Sequence, residues 1–182
     1  MKKTLFPLVV LLFMAACKEQ KKKEVQPDVT NEVQEVTDLL GGKYPIYDFK
    51  GLQPFLEQNN DTTYIVNFWA TWCEPCVAEL PYFEDLGKNY SEEKVSVILV
   101  DLDMKRAWEN RLLPFLEKRQ LSSKVVILDD PKQNTWIPLV DEEWGGGIPA
   151  TLIYKGDERQ FYEQGFSKEE LLTAFLEIHQ SK

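Results

Sequence analysis

The sequence predicts an α/β domain built on a mixed β-sheet flanked by helices. Three features carry that prediction. Near-continuous apolar runs at Thr63–Trp69 and Val95–Val100 each lead into helically spaced sequence, as expected of strands covered on both faces. Thr151–Tyr154 and Gln160–Glu163 flank the turn-like Lys155-Gly156-Asp157, the pattern of a hairpin. Ser167, with Glu170 three residues on, forms a capping box that opens a final helix.

The chain starts with a different kind of segment. Met1-Lys2-Lys3 is a short basic start, and Leu5–Ala16 is an almost unbroken apolar run, too short to span a membrane comfortably. Together they have the layout of a secretory signal, residues 1–16. Met14-Ala15-Ala16-Cys17 resembles the bacterial lipoprotein box, although Met14 stands where Leu or Val is usual. That resemblance implies lipidation of Cys17 and a membrane-anchored, extracytoplasmic protein facing the periplasm or the cell surface. The alternative is a plain signal peptide cut near Ala16, which leaves Cys17 as an odd exported thiol.

Residues 17–42 are polar, charged and poor in aromatics, and they are expected to form a flexible tether that ends at Gly41-Gly42. A short helix or strand within Val29–Leu40 is compatible with the pattern. The net charge of −9 leaves no electrostatic footprint for nucleic acid. Lys18 and Lys21–Lys23 are the exception; just after the proposed anchor, they could meet anionic head groups or simply solvate the tether.

The domain then occupies residues 43–182. Its expected elements begin with a short helix at Leu52–Gln58 and the strand Thr63–Trp69. A helix follows at Glu74–Tyr90, interrupted at Pro81, and then the strand Val95–Val100. Lys105–Gln120 is helically spaced through Trp108, Leu112, Phe115, Leu116 and Arg119, with Pro114 as a break or kink. Val125–Leu128 is a further strand, and a short helix opens near Asn134 and ends before Pro138.

Cys73 and Cys76 stand where the first strong strand becomes a helix. A helix N-terminus favours an anion, here the thiolate of Cys73. Cys73 is therefore expected to be the exposed, attacking sulfur, and Cys76, one turn on, the more buried resolving thiol. A structural zinc site lacks ligands, because the chain holds three cysteines, one in the lipoprotein box, and a single histidine, His179. A purely structural staple across so short a loop removes little unfolded-state entropy. Pro75 is harmless in a first helical turn, and Glu74 places a negative charge that disfavours the neighbouring thiolate, a bias towards reductant. Glu79 falls on nearly the same helix face as Cys76, where a carboxylate could take its proton; a solvated surface glutamate is the alternative.

Phe68-Trp69-Ala70-Thr71-Trp72-Cys73-Glu74-Pro75-Cys76 resembles the active-site sequence of the thioredoxin superfamily. Glu74-Pro75 between the cysteines and Glu79-Leu80-Pro81 after them are similar to the membrane-tethered reductases of the TlpA/ResA type. The resemblance covers roughly Tyr44–His179 and implies a thioredoxin-like fold. It also implies a redox-active Cys73–Cys76 disulfide and a functional acid at Glu79. Asn67 stands where thioredoxins proper carry a buried Asp, which leaves Glu79 as the nearby acid. In Gly145-Gly146-Gly147-Ile148-Pro149, the resemblance makes the Ile148–Pro149 bond cis and gives Ile148 a backbone that pairs with substrate. Trp72 is expected to shield the site as a surface ring, with Trp69 in the core. Three consecutive glycines exceed the family's need, as a source of loop freedom or merely a bend.

The implied function is extracytoplasmic thiol–disulfide exchange that reduces protein disulfides without organic cofactor or metal. Its implied partners are disulfide-containing exported proteins, apocytochrome c among them, and a membrane electron donor of the DsbD/CcdA type. A disulfide oxidant or isomerase is the nearest alternative. A non-catalytic binding lipoprotein on the same scaffold is the alternative from another class. A peroxidase is disfavoured by the absence of a Pro-Thr-x-x-Cys context. Asp101-Leu102-Asp103 after a strand, with Asp129-Asp130 after another, raises magnesium-dependent phosphoryl transfer, but the residues after Asp103 do not continue such a motif.

Overall fold

The computed structural model describes residues 42–181. The signal segment, Cys17 and all of the expected tether except Gly42 lie outside those residues, as does the Val29–Leu40 segment. The described elements are β1 (Ile46–Tyr47), α1 (Phe49–Leu52), β2 (Thr63–Trp69), α2 (Glu74–Asn89), β3 (Val95–Asp101) and α3 (Leu113–Arg119). They continue with β4 (Lys124–Leu128), α4 (Gln133–Val140), β5 (Ala150–Lys155), β6 (Glu158–Tyr162) and α5 (Lys168–His179). The strands form one six-stranded sheet in the order β1-β4-β3-β2-β5-β6. β1, β4, β3 and β2 run parallel, while β5 and β6 are antiparallel to their neighbours. The expected mixed sheet is therefore present.

β2 lies at the centre, which explains its unbroken apolar character: both faces are covered. On one face Ile65 and Trp69 pack with Phe83 and Leu86 of α2 and with Phe175 and Ile178 of α5. On the other, Val66 and Phe68 pack with Leu52 of α1, Trp136 and Val140 of α4, and Trp144. The alternation of strand side chains thus divides one sheet between two cores. The Ser167–Glu170 capping box forms as expected at the start of α5.

Several elements differ from the sequence expectation. The helix expected at Leu52–Gln58 starts earlier, at Phe49, where the Asp48 side chain accepts the Gly51 N–H, and it gives way to a 3-10 turn at Gln53–Phe55. β1 has only two residues, too few to show a period. The segment after Met104 passes through a 3-10 turn (Lys105–Ala107) and a π turn (Trp108–Leu112) before α3. The wider turn fits Pro114, which has no N–H to give the Asn110 carbonyl four residues back. Pro81 and Pro138 both lie inside helices rather than interrupting or ending them. At α4 the burial of Trp136 and Val140 on either side of Pro138 outweighs one lost helical hydrogen bond.

Candidate active site

The parallel strands β2 and β3 end side by side, with Trp69 opposite Asp101. The chain leaves β2 through Ala70-Thr71-Trp72 and enters α2 at Cys73. Asp103 shapes this turn: its carboxylate accepts the Thr71 N–H at 2.7 Å and the Thr71 hydroxyl at 2.8 Å. Asp101 in turn accepts the Asp103 N–H at 3.2 Å. Burial, and then the neighbouring Asp103, push the Asp101 carboxyl well above the usual carboxylate range. The Asp-x-Asp pair is therefore occupied with holding the turn before the cysteines.

Cys73 is the N-cap of α2, and the Cys76 N–H points at its sulfur from 3.3 Å. The two cysteines are joined in a disulfide, with Cα atoms 5.3 Å apart. Cys76 has no exposure and Cys73 retains 6%, so Cys73 is the one of the two that reaches solvent, though only at its edge. The expected order of exposure holds, but in the oxidised form neither cysteine is open. Glu74 and Pro75 occupy the exposed first turn of α2. Trp72 stands out at 53% exposure, whereas Trp69 is fully buried.

Facing the disulfide is the loop before β5. The Ile148–Pro149 peptide is cis, and the Ile148 carbonyl oxygen lies 3.7 Å from the Cys73 sulfur. Pro149 is buried and Ile148 half-buried. The Cys73 sulfur and the Ile148 carbonyl thus meet at the molecular surface, next in the chain to the exposed Trp72.

Glu79 lies behind that surface and is not solvated: only 1% of it is exposed. Its Oε2 accepts the Phe166 backbone N–H at 2.7 Å, and its Oε1 accepts from Asn67 Nδ2 at 3.1 Å. Asn67 also donates to Thr151 Oγ1 at 3.1 Å, the residue opposite it in the β2–β5 register. Burial raises the Glu79 pKa to about 7, even though the Phe166 and Asn67 hydrogen bonds both favour the ionised form. A carboxyl poised near neutrality, on the same buried face of α2 as Cys76, can hold or release a proton at working pH. Sequence reading located Asn67 only as a missing acid. Its work as a donor to Glu79, and the part of the Phe166 amide, depend on contacts across 12 and 87 residues.

The sequence profile of the AhpC/TSA family matches residues 28–159, more than half of the chain. The chain belongs to this family. Within the AhpC/TSA group it is similar to the thiol-disulfide oxidoreductase ResA of Geobacillus kaustophilus, at 34% identity over 138 residues. That match covers 75% of this chain and 68% of the relative. It is also 36% identical over 109 residues to ResA of Bacillus cereus, covering 54% of this chain and 56% of the relative. The matched region thus spans about half the length of several of these curated relatives. Among solved structures, a thiol:disulfide interchange protein of the thioredoxin family from Chlorobium tepidum has a TM-score of 0.54 at 19% identity. It covers 66% of this chain and 81% of that one, and it places this AhpC/TSA member in the thioredoxin-like fold.

Proposed function

We propose that this protein is an extracytoplasmic thiol–disulfide oxidoreductase that reduces disulfides of exported proteins. The observation that carries the reading is a Cys73–Cys76 disulfide at a helix N-terminus, facing a cis-proline loop and backed by a buried carboxyl. The Cys73 thiolate attacks one sulfur of a substrate disulfide, forming a mixed disulfide and expelling the other substrate sulfur as a thiolate. Glu79 takes the Cys76 proton, and the Cys76 sulfur attacks Cys73. The Cys73–Cys76 bond forms, the mixed disulfide breaks, and the second substrate sulfur leaves with the electron pair. Two electrons have moved from enzyme to substrate, so a membrane dithiol donor of the DsbD/CcdA type must return the pair to its reduced state.

Ile148 and Trp72 bind the substrate segment around its disulfide, and Pro149 fixes the loop that presents Ile148. Glu74 and Pro75 tune the couple towards reductant. Lipidation of Cys17, after removal of residues 1–16, holds the domain at a membrane on the 17–42 tether, facing the periplasm or the cell surface. Apocytochrome c, whose haem-binding cysteines can pair, is the first substrate to test.

Trapping tests the exchange directly. Cys76→Ser is expected to accumulate mixed disulfides on Cys73, identifiable by mass spectrometry, and Cys73→Ser to accumulate none. Equal yields from the two variants, or none from either, would refute the mechanism. A reduction potential near that of strong oxidants would reverse the direction. Radioactive fatty acid should label the wild type and not Cys17→Ala; label that survives the substitution removes the anchor.

A further inference from the structure

The three consecutive glycines before Ile148 have a specific partner. Glu163, just past the end of β6, turns its carboxylate into this loop. Its Oε2 accepts the Gly145 N–H at 2.9 Å and its Oε1 accepts the Gly147 N–H at 2.6 Å. One carboxylate thus bridges two amides of the loop that continues directly into the cis Ile148–Pro149 peptide. The glycines leave room for it: a Cβ at Gly147 would lie 2.6 Å from Glu163 Oε1, and one at Gly145 would lie 3.3 Å from the same atom. Gly146 between them has φ +90°, which L side chains rarely adopt. The loop is held from its other side by Trp144, whose indole N–H donates to the Gly147 carbonyl at 2.8 Å. Trp144 is itself buried among Phe68, Trp136 and Phe161.

Glu163 has a second connection to the site. Three residues further on, the Phe166 N–H binds Glu79. The segment 163–166 therefore brackets the site, holding the proline loop through a side chain and the buried acid through a backbone amide. Bonds from backbone amides to a carboxylate are the stronger kind, and the exposed position of Glu163 makes the clamp removable without opening the core.

We propose that Glu163 is a positioning residue for thiol–disulfide exchange, its carboxylate holding the Gly145–Gly147 loop so that the Ile148 backbone is preset for an extended substrate. The assignment rests on the exchange reading above. With the clamp intact, the loop's ordering cost is met on folding and not at each binding event, so the effect belongs to substrate affinity. Loop freedom is then not the purpose of the glycines; they accommodate the clamp.

The test uses the full chain with insulin as the disulfide substrate and dithiothreitol as the electron source. Glu163→Ala, which removes both amide–carboxylate bonds and so returns the loop's ordering cost to the binding step, is expected to raise KM about tenfold, with kcat and the Cys73–Cys76 potential unchanged. Glu163→Gln, which keeps one of the two acceptors and sets an NH2 against the other amide, should recover only part of that loss. Gly147→Ala should displace the carboxylate and match Glu163→Ala, and the double variant should be no worse than either single one. Amide hydrogen exchange at Gly145 and Gly147 should speed up in Glu163→Ala. An unchanged KM, additive losses in the double variant, or unchanged exchange would each overturn the assignment. Wild-type protein that fails to reduce insulin defeats the exchange reading instead, while the amide exchange still decides whether the clamp exists.

Discussion

Glu79 shows how far one residue's chemistry depends on surroundings it does not carry with it. Its pKa of about 7 against an ordinary 4.5 means that the folded protein holds this proton more tightly than the unfolded chain. The folded state binds more protons between those values, so this contribution to stability is complete below about pH 4.5. It is lost as pH rises through about 7. Denaturant midpoints measured at pH 5 and pH 8 should therefore differ more in the wild type than in Glu79→Gln. The expected excess is up to about 3 kcal/mol for a shift of this size. Identical pH dependence in the two proteins would contradict the raised pKa. Asn67 acts in the opposite sense to burial, since its amide donates to the carboxylate. Asn67→Ala should thus move the Glu79 pKa above 7, read from its carboxyl carbon by NMR titration of the oxidised protein. A downward movement would mean that Asn67 is not the donor.

At the scale of elements, the turn between β2 and α2 is the one that places Cys73. Beside the Cys73 N–H to Ala70 carbonyl bond that closes it, the turn is held by two hydrogen bonds from Thr71 to a single carboxylate, Asp103, which is nearly inaccessible to solvent. Asp103→Ala leaves a half-buried amide and hydroxyl of Thr71 without their protein partner, and a loss of about 1–2 kcal/mol is expected in denaturant melts of the oxidised protein. At the other end of the domain, Ser167→Ala removes the side-chain half of the α5 capping box and should cost about 1 kcal/mol. That capping box was legible because its partners are three residues apart. The Asp103 clamp was not, since its partner is 32 residues away and an acid after a strand has many ordinary uses. The two helix-internal prolines make the same point in reverse. Local rules predict a break at Pro81 and Pro138, but packing on both sides of each carries the helix through.

For the whole molecule, one sheet covered on both faces joins the two halves of the site. β2 delivers the cysteines and its antiparallel neighbour β5 begins directly after the cis proline, so their pairing brings Thr151 opposite Asn67. α5 supports this arrangement from behind through Phe175, which is fully buried and packs edge-on against Tyr90 at 4.6 Å between ring centroids. Phe175→Ala should destabilise the domain by about 3–5 kcal/mol in a denaturant titration. A loss below 1 kcal/mol would mean that α5 docks loosely and does not brace the sheet.

Apart from the two-residue β1, the order of strands and helices, the cysteines at a strand–helix junction and the proline loop ahead of a strand were determined by the sequence alone. Each is written in neighbouring residues as an apolar period, a turn signal or a motif. The tertiary structure decided the state of Glu79, the service of Asp103 to Thr71 and the grip of Glu163 on the glycine loop. These depend on desolvation and on partners 12 to 87 residues apart. Spacing along a helix says which face a carboxyl occupies. Only the packed sheet says what that face meets, and so whether the group is ionised, hydrogen-bonded or free.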